Sequence, residues 1–90
     1  MEYIFSEASD SALCSGLNYT NCSQEIAESA MSEALHKLQF HCDELQGILL
    51  DKPYCTSFCT PESLPVYAPL AIVDCKSNCS GFCESRSTAF

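Results

Sequence analysis

Residues 75–83 read CKSNCSGFC and place Cys75, Cys79 and Cys83 four positions apart. Cys55 and Cys59 have the same spacing earlier in the chain. Side chains at positions i and i+4 share one face of an α-helix, so this spacing predicts two helices that each present a row of thiols. Neighbouring thiols on one helix run side by side, so each row is expected to bond to another helix. The predicted fold class is therefore all-α, a small disulfide-rich bundle.

The cysteine count gives the expected cross-linking. The chain has 8 cysteines in 90 residues. An even set at this density in a short chain is typical of a disulfide scaffold formed in an oxidising compartment. We predict four disulfides that involve every cysteine: Cys14, Cys22, Cys42, Cys55, Cys59, Cys75, Cys79 and Cys83.

The pairing of these cysteines stays open at the level of sequence, because eight thiols allow many connectivities. One hypothesis packs the two thiol-bearing helices antiparallel, with rungs Cys55–Cys79 and Cys59–Cys75. The other four cysteines then tie the N-terminal segment to the long helix and to the last helix. Each bond is expected to stabilise the fold by about 2–4 kcal/mol.

Apolar periodicity and helix caps divide the chain further. Apolar side chains recur at helical intervals over residues 22–50, which predicts a long amphipathic helix. Capping residues predict shorter helices over 6–16, 52–59 and 74–85. The prolines make 60–73 a connection, and 86–90 are expected to form a tail. Residues 1–90 are thus predicted to form a single domain of three to four helices.

The charge balance excludes several classes of protein. There are 12 Asp and Glu against 4 Lys and Arg, a formal net charge of −8. Nucleic-acid binding needs a basic face, and so does adsorption to anionic lipid. No apolar run approaches the length of a membrane span. We expect no nucleic-acid partner and no membrane insertion.

Motifs for catalysis or metal binding are missing from the sequence. Structural zinc sites favour a C-x2-C knuckle, which does not occur. His36 and His41 are five residues apart, whereas two histidines that bind one metal from a helix prefer i and i+4. The sequence contains no nucleophile elbow, P-loop or dinucleotide fingerprint. We therefore expect no enzyme activity, no metal and no cofactor.

Two surface features are candidates for partner binding. Tyr67, Leu70 and Ile72 make the proline-rich connection apolar, and the alternative is a strap that covers helix ends. Glu25 and Glu28 belong to an acidic N-terminal third that would steer a basic partner, or that only keeps the chain soluble. The aromatic residues near the N-terminus have the same two interpretations: Tyr3, Phe5 and Tyr19.

Three sequons support secretion. Asn18, Asn21 and Asn78 each begin an N-x-[S/T] triplet and are candidate N-glycosylation sites. The opening residues lack the basic region and the long apolar region of a signal peptide, so a mature, secreted and extracellular form is expected.

The closing run Cys75-Lys-Ser-Asn-Cys79-Ser-Gly-Phe-Cys83-Glu-Ser and the opening Glu2-Tyr-Ile-Phe-Ser-Glu, followed by Cys14 and Cys22, resemble the water-borne mating pheromones of ciliates. The resemblance implies a disulfide-tied three-helix bundle, a diffusible ligand with a membrane receptor, and helix-mediated self-association into a homo-oligomer. No binding residue carries over from the family, because this chain has a longer central helix and two clusters of cysteines spaced by four.

The predicted function is therefore that of a secreted extracellular signalling ligand, such as a mating pheromone, that binds a cell-surface receptor or another protein. One alternative is a secreted effector or toxin from a pathogen or venom. A further alternative is a small helical carrier of an apolar ligand, which needs a cavity.

Overall fold

A computed structural model describes residues 1–85 as one antiparallel sheet covered on one face by one helix. The elements in chain order are β1 (Glu2–Cys14), α1 (Tyr19–Glu44), β2 (Gly47–Thr60) and β3 (Ala71–Ser85). The strand order is β1-β3-β2, with β3 in the centre and antiparallel to both neighbours. The predicted all-α bundle of three to four helices is therefore wrong.

The thiol-bearing segments are strands because their burial alternates. Val73, Cys75, Ser77 and Cys79 are buried, and the residues between them are exposed. A period of two is the signature of a half-buried strand. Residues four apart share a face of a strand as well as a face of a helix, so the cysteine spacing alone could not distinguish the two.

Three of the predicted helices are strands in the structure. The helix expected over 6–16 lies within β1 and its following turn. The helix over 52–59 is the second part of β2, and the helix over 74–85 is most of β3.

The long helix and the connection were closer to the observed fold. α1 occupies most of the span predicted as 22–50, but the chain enters β2 at Gly47. The proline-rich connection expected over 60–73 is observed between the end of β2 at Thr60 and the start of β3 at Ala71. The tail expected over 86–90 lies outside the described residues.

Four disulfides link the helix and the strands, and no cysteine is free. The hypothetical rungs Cys55–Cys79 and Cys59–Cys75 are both present, and they join directly opposed residues of β2 and β3. Cys14–Cys22 ties β1 to the start of α1, and Cys42–Cys83 ties the end of α1 to β3. Antiparallel alignment pairs these cysteines in the same order whether the segments are helices or strands.

A hydroxyl pair lies between the two rungs. Ser77 is fully buried, and its Oγ is 2.9 Å from Ser57 Oγ and 3.3 Å from the Thr56 carbonyl. These contacts satisfy a polar group that would otherwise be costly to bury.

The helix packs on the sheet through a narrow stripe. Its buried residues recur at every fourth position: Ile26, Ala30, Ala34, Leu38 and Cys42. The small side chains of Ala30 and Ala34 let the backbone of α1 approach the sheet closely, and the Ser6 hydroxyl donates a hydrogen bond to the Ala34 carbonyl. Ile4 and Ala8 of β1 pack in the same cluster as Ala34 and Leu38.

Two glycines allow close contacts at the ends of the sheet. A Cβ built on Gly16 would lie 1.7 Å from the Pro65 carbonyl oxygen, and the Gly16 N–H donates to the Ala68 carbonyl at 3.1 Å. This contact fastens the connection between β2 and β3 to the turn after β1. At the other end, a Cβ on Gly47 would lie 2.5 Å from Cys83 Sγ.

The molecule is elongated. Its Cα extents are 65 × 16 × 14 Å, and its radius of gyration is 16.7 Å, against about 12 Å for a compact chain of this length. Strands of 13 to 15 residues run along most of this length, and within residues 1–85 a single helix covers them on one side.

Candidate functional site: the open face of the sheet

The sheet face opposite α1 has no covering element among residues 1–85, and we call it the open face. Since side chains alternate along a strand, the residues that do not point toward α1 point into this face. On β1 these are the odd-numbered positions, and on β3 the even-numbered positions.

Aromatic side chains gather at one end of the open face. The register places Tyr3 opposite Phe82, and Phe5 opposite Ser80, which is itself opposite Tyr54. The Tyr3 and Phe82 ring centroids are 4.9 Å apart, and the Tyr3 hydroxyl donates to Ser80 Oγ at 2.6 Å. We call Tyr3, Phe5, Tyr54 and Phe82 the aromatic end.

These rings are accessible to solvent, although Tyr3 and Phe82 contact each other. Phe5 is 76% exposed and Tyr54 is 71% exposed. Scattered exposed apolar residues are normal, but a contiguous aromatic group marks an interaction surface. Aromatic side chains supply much of the binding energy at protein interfaces.

The centre of the open face is mostly polar, with one exposed aromatic residue, Phe58, opposite Lys76. Lys76 Nζ lies 3.6 Å from a Glu7 carboxylate oxygen, and both side chains are well exposed. Such an exposed pair contributes little to stability. Asn78 lies beside Glu7 in the same region, so one of the three sequons opens onto this face.

The opposite end of the molecule is apolar again. Leu13 and Ile72 are opposite each other on β1 and β3, and the connection adds exposed side chains at Val66, Tyr67 and Leu70. We call these five residues the loop end. It is separated from the aromatic end by the length of β1, about 40 Å at the rise of an antiparallel strand.

The candidate partner-binding residues fall on two different surfaces. Tyr67 is 89% exposed, Leu70 is exposed beside it, and Ile72 lies at the edge of the open face. Glu25 and Glu28 are exposed on α1, which covers the other face of the sheet. Tyr67, Leu70 and Ile72 therefore belong to one end of the molecule, and the two glutamates are not part of that surface.

The sequence interpretation missed Tyr54 and Phe82, because it placed both in helices. The signal that could have identified them is the period-two pattern, which places Phe82 on the face opposite Cys79 and Cys83.

The remaining candidate residues lie away from the open face. Asn18 and Asn21 are exposed around the start of α1, and Asn18 Oδ1 accepts hydrogen bonds from the Ser15 N–H and hydroxyl. His36 and His41 are exposed on α1. Within residues 1–85, no three His, Cys, Asp or Glu side chains are grouped so that they could hold a metal ion.

Four disulfides agree with a secreted or extracellular protein. Over the same described residues, no helix is both long and apolar enough to cross a membrane. Comparison of the chain with protein-family models, curated proteins and solved structures found no match. The class defined by fold and surface is thus a disulfide-rich β-α-β-β protein with an uncovered sheet face.

Proposed function

We propose that this chain is a secreted extracellular ligand that binds a cell-surface receptor protein through the open face of its sheet. The observation that carries the proposal is the aromatic end, where Phe5 and Tyr54 are mostly exposed on a rigid, disulfide-linked sheet. Rigid aromatic side chains lose little conformational entropy on binding, so they suit recognition by a small protein.

A signalling role is the preferred form of this proposal, and a mating pheromone is one example. The three-helix bundle implied by the pheromone resemblance is not the fold of this chain, so the proposal depends on the surface and the disulfides. The alternative, a secreted effector or toxin, uses the same recognition chemistry on another target. The carrier alternative has weaker support, because the depression of about 540 Å³ beside α1 is open to solvent and not an enclosed cavity. It is lined by Ser29, Ser32, Glu33, His36 and Lys37.

The first test is binding of the purified, oxidised protein with a C-terminal tag to intact cells, from the producing species and from its other cell or mating types. We expect saturable binding that untagged protein competes away. The double variant Phe5→Ala with Tyr54→Ala should weaken binding by about 30-fold or more, the loss typical of interface hot spots.

Phe40→Ala is the matched control, because Phe40 is an exposed aromatic residue on α1, away from the open face. It should leave binding unchanged. Absence of saturable binding on every cell type would refute the receptor proposal, and equal losses in both variants would refute the assignment to the open face.

A second set of variants tests the earlier candidates. If Tyr67, Leu70 and Ile72 contact the receptor, Tyr67→Ala with Leu70→Ala should weaken binding as strongly as the aromatic-end variant. If Glu25 and Glu28 steer a basic partner, replacing both by Gln should slow association at low salt and leave dissociation unchanged.

The response of the cells to the bound protein separates a signalling ligand from an effector or toxin. A change in mating or behaviour supports signalling, and cell damage supports an effector or toxin.

A further inference from the structure

Within residues 1–85, no strand pairs with the outer edge of β1, which presents a regular set of backbone N–H and C=O groups. The Cα atoms of Cys55 and Cys79 are only 4.1 Å apart, which is the close spacing of a non-hydrogen-bonded pair. In such a pair the backbone N–H and C=O groups of each residue point away from the other strand. The backbone groups of Cys79 and the other odd-numbered β3 residues therefore point toward β1, where they bond to even-numbered residues. The N–H and C=O groups of the odd-numbered β1 residues point outward.

Two side-chain contacts agree with this alternation. The Ser11 N–H donates a hydrogen bond to the neighbouring Asp10 carboxylate at 2.9 Å, and the Glu7 carbonyl accepts a hydrogen bond from Lys37 Nζ at 3.4 Å. Both contacts are solvent-exposed, so another strand could replace them at little cost.

The two edges of the sheet differ in how they are protected. β2 has a register shift between Leu50 and Tyr54, Asp51 there has a φ of 54°, and Pro53 follows. Bulges and prolines are the usual devices that stop an edge from pairing with another chain. β1 pairs with β3 without a register shift over 13 residues and contains no proline.

We propose that β1 pairs antiparallel with β1 of a second copy of this chain, about a two-fold axis through Ala8. This axis pairs every residue of Glu2–Cys14 with a residue of the same strand in the second copy. Tyr3 then lies opposite Leu13 of the second copy, Phe5 opposite Ser11, and Glu7 opposite Ser9. No two carboxylates are directly opposed.

Two other registers oppose like charges. An axis through Glu7 places Glu7 opposite Glu7 of the second copy, and an axis through Asp10 places Asp10 opposite Asp10. Directly opposed like charges destabilise an antiparallel pair. The carboxylates thus disfavour these two registers. An axis through Ser9 also avoids opposed carboxylates but leaves Glu2 and Tyr3 unpaired, so the axis through Ala8 is favoured because it pairs every strand residue.

The pairing also joins the exposed apolar ends. Because the strands run antiparallel, the aromatic end of one copy lies beside the loop end of the other, on one continuous six-stranded open face. The two helices lie on the same side of that sheet, and the open depression at Ser29, Ser32 and Lys37 gives room for the second helix. Lys37 then faces the Ser29 and Glu33 region of the second copy.

Charge opposes this dimer, because each chain has a formal net charge of −8. Salt screens such repulsion, with a Debye length of about 10 Å at 0.1 M and about 3 Å at 1 M. We therefore expect the dimer to be tighter at the higher salt concentration. The experiment is sedimentation equilibrium of the oxidised full chain at protein concentrations up to about 1 mM.

Small-angle X-ray scattering separates this dimer from other arrangements. Side-by-side pairing along β1 leaves the maximum dimension near the 65 Å extent of one chain and broadens the cross-section. An end-to-end dimer through the apolar ends nearly doubles the maximum dimension, and this result would overturn the proposal.

Two variants test the edge itself. Ser9→Pro removes an outward N–H that β3 does not use, so the monomer should keep its disulfides and its circular dichroism while dimerisation weakens by at least about tenfold. Ser9→Thr is the control that keeps the N–H. Ser9→Glu places the new carboxylate of each copy directly opposite Glu7 of the other copy. Within its own chain the new carboxylate lies opposite Lys76, so the monomer should tolerate it, and the dimer should weaken at least about threefold.

Thr56→Glu controls for the added charge, because Thr56 is exposed on β2, at the other edge of the sheet. It should leave the dimer near its original affinity. A chain that stays monomeric at all concentrations and at both salt levels overturns the proposal. So does a dimer that folded Ser9→Pro or Ser9→Glu does not weaken.

Discussion

At the scale of single residues, backbone contacts at the ends of the sheet leave no room for a side chain. The N–H of Gly16 bonds the connection at Ala68, and its Cα faces the Pro65 carbonyl oxygen. Gly81 lies in the central strand, where an added Cβ would meet Leu49 and Pro53 at 3.5 Å or more, an ordinary contact distance.

We expect Gly16→Ala to destabilise the protein by about 1–3 kcal/mol, because the connection must move to admit the methyl group. Gly81→Ala is the matched substitution, and it should be neutral or stabilise by about 0.5–1 kcal/mol, since glycine weakens a strand. Urea unfolding with the disulfides intact measures both changes. Equal free-energy changes for the two variants would show that Gly16 does not need this contact.

At the scale of elements, the disulfides close loops of very different length. Cys14–Cys22 closes a short turn with a sequence separation of 8, whereas Cys42–Cys83 joins α1 to β3 across a separation of 41. A cross-link stabilises mainly by restricting the unfolded chain, and the effect grows with the length of the loop. The second bond also holds the end of the helix against the sheet.

Replacing both Cys42 and Cys83 by Ala should therefore cost about 1 kcal/mol more than replacing Cys14 and Cys22. Thermal unfolding of the two double variants, each with its three remaining bonds confirmed by peptide mapping, gives the comparison. A larger loss from the Cys14 and Cys22 pair would mean that the turn after β1, and not loop length, controls stability.

At the scale of the whole molecule, cysteine side chains form much of the core. Five of the buried residues are Cys14, Cys42, Cys75, Cys79 and Cys83, and the helix stripe between them contains alanines. A single helix on a long, narrow sheet cannot bury a large apolar volume, so the cross-links replace part of the usual hydrophobic stabilisation.

We expect the fold to be lost on full reduction. Four disulfides at about 2–4 kcal/mol each match or exceed the net stability of a typical domain, about 5–15 kcal/mol. Far-UV circular dichroism in excess reductant should lose the native spectrum, and reoxidation should restore it. A native spectrum and an unchanged melting temperature in the reduced state would contradict this account.

Part of the candidate site could be predicted from residues 71–85. From Asp74 to Glu84, polar or aromatic side chains at even positions alternate with small or apolar side chains at odd positions, which indicates a strand with one covered face; Ile72 departs from this pattern. That alternation identifies Phe82 as an open-face residue. Tyr3, Phe5 and Tyr54 join it only through the register of three strands, because they are distant in sequence.

The sequence by itself determined that all eight cysteines form disulfides, and it indicated the long helix and the proline-rich connection, because these depend on cysteine count, local periodicity or composition. The pairing of the cysteines stays open at the level of sequence, and the tertiary structure decided it. Only the tertiary structure decided between helix and strand for the cysteine-bearing segments. A spacing of four residues is close to one helical turn and is also twice the period of a strand, so both structures place Cys75, Cys79 and Cys83 on one face. The preference for strands arises when β3 pairs with β1 and β2 and α1 covers the cystines, and that arrangement leaves the opposite face of the sheet open.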